Sequence, residues 1–151
     1  MGNSQKTIMF LGEYQHTLDE KGRVAIPAKF RPFLKSGTVV TRGLDGSLVV
    51  YPAKEWKELA VKLSTLPIAQ ANSRAFSRLM LAGAMDATPD GQGRVMLPEF
   101  LRKYAGIKKQ VVIAGLYNRV EIWDKSAWDK YRSITEKESN SIAEQLSGLG
   151  V

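Results

Sequence analysis

Short stretches of alternating apolar and polar residues recur along the chain. In the segment Arg23–Ile26, Val24 and Ile26 fall on one face of an extended backbone, and Arg23 and Ala25 fall on the other. The same alternation and the flanking turn residues predict five more strands. These are Glu13–Leu18, the hairpin Thr38–Arg42 with Ser47–Tyr51, and the hairpin Gln110–Ala114 with Arg119–Trp123.

Apolar residues at helical spacing predict helices between and after these strands. Ala53–Ser64 and Ser126–Glu136 each follow a hairpin, and a further helix near Ala69–Met85 lies between the two groups of strands. Pro27 and Pro98 suit the first turn of short helices, and Pro32 is expected to cut the first of these short. The tail from Lys137 is predicted to be a weak or mobile helix.

The order of elements repeats because the sequence itself repeats. Asp19–Pro27 (DEKGRVAIP) recurs as Asp90–Pro98 (DGQGRVMLP) at an offset of 71 residues, and Arg31 then matches Arg102. With one inserted residue the match continues through the hairpins to Trp56 and Trp128. Two halves that share turns, strands and aromatic residues indicate a duplicated unit.

The repeat divides the chain into five parts. Residues 1–8 form an N-terminal extension, residues 13–56 a first half, residues 57–83 linking helices, residues 84–128 a second half, and residues 129–151 a C-terminal helix and tail. Short strands with regular turn signals predict a mixed fold, mainly β with peripheral α. We expect a small β-barrel with helices packed outside.

Charge and composition narrow the functional classes. The chain has 22 Lys and Arg against 15 Asp and Glu, and segments 17–35 and 87–109 each carry five basic against two acidic residues. A basic surface centred on the repeated turns favours an anionic partner, with nucleic acid first and a membrane surface second. The chain has no cysteine and one histidine, so few of the residues that build catalytic triads and metal sites are present. We expect no enzyme, no metal and no cofactor, and a soluble intracellular protein.

The repeated turns hold the candidate chemistry. Alternation directs Arg23 and Arg94 outward, where an arginine can grip guanine or a phosphate, and Lys21 adds a charge in the first turn only. Glycine next to each arginine would let the backbone approach a ligand closely. The alternative is that each aspartate only caps its turn and braces the arginine four residues on, which we favour for the aspartates. The turn and orienting residues are Asp19, Gly22, Asp90 and Gly93.

Other polar and aromatic residues have structural interpretations. Arg74 and Arg78 lie one helical turn apart and are expected to face solvent. The three tryptophans recur at hairpin and helix positions, which favours core or subunit contacts over base stacking. His16 is predicted to be structural.

These motifs resemble the MraZ family, within the larger group of AbrB-like (SpoVT-AbrB) DNA-binding domains. The resemblance covers about residues 9–136 and rests on the start Met9-Phe10-Leu11-Gly12 and on the two Asp-x-x-x-Arg turns. It implies a swapped-hairpin, double-split β-barrel in which one chain supplies both halves, and ring-shaped homo-oligomers in the cytoplasm at the nucleoid. It implies binding of double-stranded DNA at short G-rich direct repeats upstream of the regulator's own cell-division and cell-wall operon. The matching contact residues are Lys21, Arg23 and Arg94.

A second class of function stays open. The same type of barrel could serve as a protein-interaction module, such as an antitoxin-like partner or a scaffold. Residues 121–151 carry six acidic against four basic residues, and such a tail could contact a partner protein. The repeated basic turns favour the DNA-binding regulator.

Overall fold

Both halves of the chain fold into the same order of elements, described over residues 8–151 in a computed structural model. The first half forms β1 (Phe10–Thr17), β2 (Arg23–Ala25), α1 (Arg31–Leu34), β3 (Thr38–Arg42), β4 (Leu48–Pro52) and α2 (Ala53–Ser64). The second half forms β5 (Met85–Asp86), β6 (Arg94–Met96), α4 (Glu99–Tyr104), β7 (Gln110–Tyr117), β8 (Val120–Asp124) and α5 (Lys125–Lys137). Helix α3 (Ala71–Ala82) joins the halves, and α6 (Ser139–Gln145) follows the second.

The strands of the two halves pair with one another. Six strands form one sheet in the order β1-β7-β8-β4-β3-β5, and β2 and β6 form a separate antiparallel ladder. Four of the six pairings join the halves: β1 with β7, β3 with β5, β4 with β8, and β2 with β6. Each hairpin therefore completes its sheet with strands from the other half, although the described residues do not close a β-barrel.

The core lies between the six-stranded sheet and the two-stranded ladder. Val24, Ile26, Val95 and Leu97 face inward and are fully buried, together with buried residues of β3, β4, β7 and β8. Full burial of one such aliphatic side chain is worth about 1.5–3 kcal/mol. These inward residues, in and directly after β2 and β6, thus pack the ladder against the sheet and leave its other face outside the core.

An aromatic cluster seals the first half against this core. Phe10 and Phe30 pack edge to face with ring centroids 5.1 Å apart, and Tyr14 packs on Phe30 at 5.4 Å. The predicted strand Glu13–Leu18 is in fact longer at its start, because Phe10 at the beginning of β1 belongs to this cluster. Of the predicted extension 1–8, residues 1–7 lie outside the described residues, and Ile8 packs against the core.

The predicted helix start at a proline is found in the second half but not in the first. Pro98 directly precedes α4, but residues 28–30 form a turn after Pro27, and α1 begins at Arg31. The expectation that Pro32 ends this helix was wrong, since it lies in the first turn of α1. A proline there sacrifices no hydrogen bond, because the first N–H groups of a helix have no acceptor within it.

The second hairpin also differs from its prediction. We expected a loop at 115–118, yet β7 continues to Tyr117, where Phe10 of β1 lies opposite. The pairing strand from the other half supplies hydrogen bonds that the isolated hairpin would lack, so the strand is extended. Among the described residues, no helix has both the length and the apolar character needed to cross a bilayer.

Candidate nucleic-acid interface

Two tight turns carry the repeated basic motif and have the same geometry. The Gly22 N–H donates to the Asp19 carbonyl at 3.0 Å, and the Gly93 N–H donates to the Asp90 carbonyl at 2.9 Å. Both glycines have a φ of +76°, the left-handed region. A type I turn followed by a left-handed residue is a common three-residue hairpin connection, and glycine adopts it at little cost.

Each turn aspartate holds both the backbone and the side chain of its arginine. Asp19 accepts hydrogen bonds from the Arg23 backbone N–H at 2.9 Å and from Arg23 Nε at 2.7 Å. Asp90 accepts the same two bonds from Arg94 at 3.0 and 3.1 Å. The carboxylates therefore fix the direction of the guanidinium groups through Nε, and in the described chain no hydrogen bond joins a terminal nitrogen of either arginine to its own aspartate.

These bonds also set the charge of the turns. Hydrogen bonds from the backbone N–H of Arg23 and then from its side chain hold the pKa of the Asp19 carboxyl below its ordinary value, despite partial desolvation. The pKa of Asp90 is lowered first by the backbone N–H of Arg94, and then by the Gln92 N–H and the charge of Arg94. Both aspartates are therefore ionised wherever the arginines would meet a ligand at neutral pH.

The two arginines meet on the outer face of the β2–β6 ladder. Arg23 lies opposite Met96 and Arg94 lies opposite Ala25, so the four side chains share the face that points away from the core. Arg94 Nη1 comes within 3.8 Å of the Asp19 carboxylate, which thus contacts an arginine of each half. The side chains of Arg23 and Arg94 are 28% and 29% exposed, so both are partly accessible from solvent.

The tips of the turns match in backbone but differ in charge. The N–H groups of Lys21 and Gln92 donate to Asp19 and Asp90, both at 2.9 Å, and both residues are exposed. Lys21 therefore places a cation beside the first turn where the second turn has a neutral amide. The structure gives the two halves unequal charge at otherwise equal positions.

Two further arginines, which the sequence analysis noted only as repeat matches, lie against these turns. Arg31 Nε donates to the Ile26 carbonyl at 2.8 Å, and Arg102 Nε donates to the Leu97 carbonyl at 2.9 Å. A Cβ at Gly93 would lie 2.5 Å from Arg31 Cζ, and a Cβ at Gly22 would lie 3.1 Å from Arg102 Cζ. The close approach that we expected these glycines to provide for a ligand is thus made by an arginine of the other half.

The other polar and aromatic residues noted in the sequence belong to other elements, and most of them have structural contacts. Arg74 is half-buried and donates a hydrogen bond from Nη1 to the Ile68 carbonyl at 2.9 Å, whereas Arg78 is exposed.

The tryptophan Trp123 is buried and packs edge to face on Trp128 at 5.4 Å. The His16 pKa is lowered by burial and by the charge of Arg31. Within residues 8–151 no three Asp, Glu or His side chains are grouped to bind a metal ion.

Comparison with known proteins identifies the repeat. One family model, described as MraZ protein and as antitoxin-like, matches the chain twice, over residues 9–79 and again over 80–147. Its two matches together reproduce the duplication read from the sequence.

Curated relatives match over nearly their full length and are named transcriptional regulator MraZ. The protein of Natranaerobius thermophilus is 50% identical over 138 residues, which are 91% of this chain and 96% of that protein. Those of Thermoanaerobacter sp. and Herpetosiphon aurantiacus are 47% and 48% identical over 143 residues, or 95% of this chain and all of theirs. The chain therefore belongs to the MraZ family, whose curated members are named as transcriptional regulators.

Proposed function

We propose that this chain is a sequence-specific DNA-binding regulator of transcription that reads DNA with the outer face of the β2–β6 ladder. The observation that carries the proposal is the pair Arg23 and Arg94, brought to one face from two halves of the chain and oriented by ionised aspartates. The relatives described above are all named as transcriptional regulators, which supports this role.

The geometry of the ladder suits a DNA groove. A two-stranded β-ribbon can enter the major groove, where guanine offers two acceptors that an arginine can bind together. Because Nε of each arginine is bonded to its aspartate, a base would be bound through the terminal nitrogens, of which Arg94 Nη1 also lies 3.8 Å from the Asp19 carboxylate. Lys21, exposed at the tip of the first turn, is placed to contact a phosphate as a point charge.

Because arginine pairs preferentially with guanine, an arginine in each half favours short G-rich repeats as the target. The family resemblance favours repeats upstream of the regulator's own cell-division and cell-wall operon. We therefore propose action in the cytoplasm, at the nucleoid. Because β2 and β6 have only three residues each, one ladder would contact a short stretch of DNA. Binding at several repeats by several subunits would raise the overall affinity through effective concentration.

Assembly into a ring-shaped homo-oligomer is supported by an uncovered apolar surface at the C-terminus. Every residue from 131 to 151 is exposed in the single chain, although α5 and α6 are regular helices. Short helices in water are marginal without packing on one face. The exposed apolar side chains that another copy could cover are Ile134, Ile142, Leu146 and Leu149.

The same surface favours one alternative function. A partner protein, as the antitoxin-like description of the family suggests, could cover these side chains in place of another copy. DNA binding and partner binding would then use different parts of the chain, the ladder for one and the C-terminal helices for the other.

The test compares affinity for the protein's own upstream region with affinity for a shuffled sequence. We expect Arg23→Ala to lose specific binding by about 1–3 kcal/mol per contacted base while binding to shuffled DNA changes less. Arg78→Ala is the matched control, because Arg78 is exposed and distant in sequence from the turns; Arg74 is less suitable, since it holds the Ile68 carbonyl. Equal affinity of the unaltered protein for both DNAs would refute sequence-specific regulation.

A further inference from the structure

We propose that Arg31 and Arg102 are two DNA-phosphate clamps, one at each end of the β2–β6 ladder; this rests on the proposed DNA-binding function and adds two residues to its site. In this arrangement Arg23 and Arg94 read bases between two fixed guanidinium groups that hold the backbone on either side.

The first argument is that both guanidinium groups are held in place before any ligand arrives. Arg31 Nε is bonded to the carbonyl of Ile26, just beyond the end of β2, and Arg102 Nε to that of Leu97, just beyond the end of β6. Each guanidinium also lies close to a turn glycine of the other half: a Cβ at Gly93 would collide with Arg31, and a Cβ at Gly22 would make a tight contact with Arg102. An arginine held in this way loses little conformational entropy when it binds an anion.

The second argument concerns what these arginines lack. Among residues 8–151, neither Arg31 nor Arg102 has a carboxylate within ion-pair distance, and their terminal nitrogens make no hydrogen bond to the described protein atoms. Arg23, Arg94 and Arg132, in contrast, each have a carboxylate partner. Half-buried guanidinium groups without counter-ions, at the ends of a positively charged ladder, are suited to an external anion.

The third argument is the space beside Arg31. An open cleft of about 410 Å³ lies there. Arg31, Pro32 and Lys35 line it on one side, and Pro89, Gly91 and Gly93 on the other. Asp90 also borders the cleft, but its carboxylate is engaged by the N–H groups of Gln92 and Arg94 and by Arg94 Nε. Lys35 is exposed and adds a second positive charge.

The two clamps take their second positive charge from different positions in the chain. Beside Arg102 the nearest basic residue in the chain, Lys103, is paired with Glu99 at 3.8 Å, whereas Lys35 beside Arg31 has no carboxylate partner in the described chain. The Arg31 clamp therefore offers two cations to a phosphate and the Arg102 clamp offers one. Because Lys21 stands in the turn over which Arg102 lies, each end of the ladder still presents two positive charges.

Salt dependence of DNA binding tests the clamps, since each phosphate contact contributes about 0.9 to the slope of log affinity against log salt concentration. We expect Arg31→Gln and Arg102→Gln each to reduce that slope by about 0.9 per bound subunit and to weaken operator and random DNA by the same factor. Arg78→Gln should leave both quantities unchanged. Arg23→Ala, in contrast, should change the ratio of operator to random binding.

Further measurements distinguish a loss of binding from a loss of folding, DNA from a free anion, and the clamps from the proposed function. If Arg31→Gln fails to fold, Lys35→Gln tests the same clamp, because it removes a charge from the cleft without breaking a side-chain bond of the described chain. An unchanged salt slope for the folded Lys35→Gln protein would overturn the Arg31 clamp. Inorganic phosphate alone at millimolar concentration should not raise the melting temperature as DNA does, and equal protection would reassign the site to a free anion. Folded Arg31→Gln and Arg102→Gln proteins that bind DNA like the unaltered protein refute the clamps only, whereas an unaltered protein that binds no DNA refutes the proposed function itself.

Discussion

Val24 lies directly opposite Val95 in the β2–β6 ladder, and the two valines hold the same position in the two repeats. Residues that pair with their own repeat equivalents must lie on the axis that relates the halves. The β4–β8 ladder has a second such pair, in which Val49 lies opposite Glu121, its equivalent at an offset of 72. One pseudo-two-fold axis through both ladders relates Arg23 to Arg94, so the two arginines have matched positions about it.

The charge difference between the turn tips predicts how substitutions at Lys21 and Gln92 change DNA binding. We expect Lys21→Gln to weaken DNA binding and to lower the salt slope by about 0.9 per bound subunit. Gln92→Lys should raise both, because its backbone N–H is held by Asp90 as that of Lys21 is held by Asp19. Fluorescence anisotropy on random DNA at several salt concentrations measures the slopes. Identical slopes for the two variants and the unaltered protein would remove the turn tips from the interface.

Gly93 should be the least replaceable glycine of the two turns. Gly93→Ala forces a non-glycine residue to a φ of +76° and brings a Cβ within 2.5 Å of Arg31 Cζ. The backbone term alone costs about 1–2 kcal/mol, and the collision adds to it. Gly91→Ala in the same turn meets no atom within 4 Å and is the control, with an expected change below about 0.5 kcal/mol. Urea denaturation of the two variants measures the difference, and equal stability would contradict it.

The turn aspartates predict how stability depends on pH. Their pKa values are lowered in the folded chain, chiefly by backbone N–H donors. The stability that they contribute is therefore complete above the unfolded value, about pH 4, and is lost as the pH falls through the lower folded values.

The double variant Asp19→Asn with Asp90→Asn should be less stable at neutral pH and should show a flatter stability profile below about pH 4. Glu20→Gln, an exposed acid of the first turn that accepts no hydrogen bond in the described chain, should keep the profile of the unaltered protein. Urea midpoints measured between about pH 2 and 7 distinguish them. A double variant with an unchanged profile would show that the aspartates do not respond to folding.

The exposed C-terminal helices predict a mass well above that of one chain. Light scattering after gel filtration should give more than twice 16.7 kDa. Ile134→Asp and Leu146→Asp, at side chains 49% and 40% exposed, should lower that mass without unfolding the core. Ala127→Asp, near the start of α5, is the control. A monomer at working concentration would refute the assembly.

Local patterns allowed the elements of this fold to be predicted better than their pairing. The bounds of β3 and α2 coincide with the prediction, because hairpin turns and helical spacing depend on neighbouring residues. The extension of β7 to Tyr117 could not be predicted from its own segment, since it depends on Phe10 more than a hundred residues earlier. For the same reason the repeat predicted two equivalent halves but not the open six-stranded sheet that they form together.

The geometry of the candidate site could be predicted in part from the sequence. Alternation correctly directed Arg23 and Arg94 away from the buried valines. Arg31 and Arg102 matched at the repeat offset, yet only the folded chain reveals that each lies over the glycine of the other half's turn. A long side chain that crosses between repeats leaves no periodic signal, so its repeated position was the one indication available.

The exchange of strands between the halves determines when this chain can fold during its synthesis. The first strand, β1, has its hydrogen-bonding partner in β7, with Phe10 opposite Tyr117 and Thr17 opposite Gln110. By the time the ribosome has made the first half, that edge has nothing to pair with, and the aromatic cluster behind it has no complete core. Contacts at such separations in sequence slow folding, because a long loop must close before they are formed. On the ribosome, β1 therefore has no hydrogen-bonding partner until β7 has emerged, although the β3–β4 hairpin can already pair within the first half.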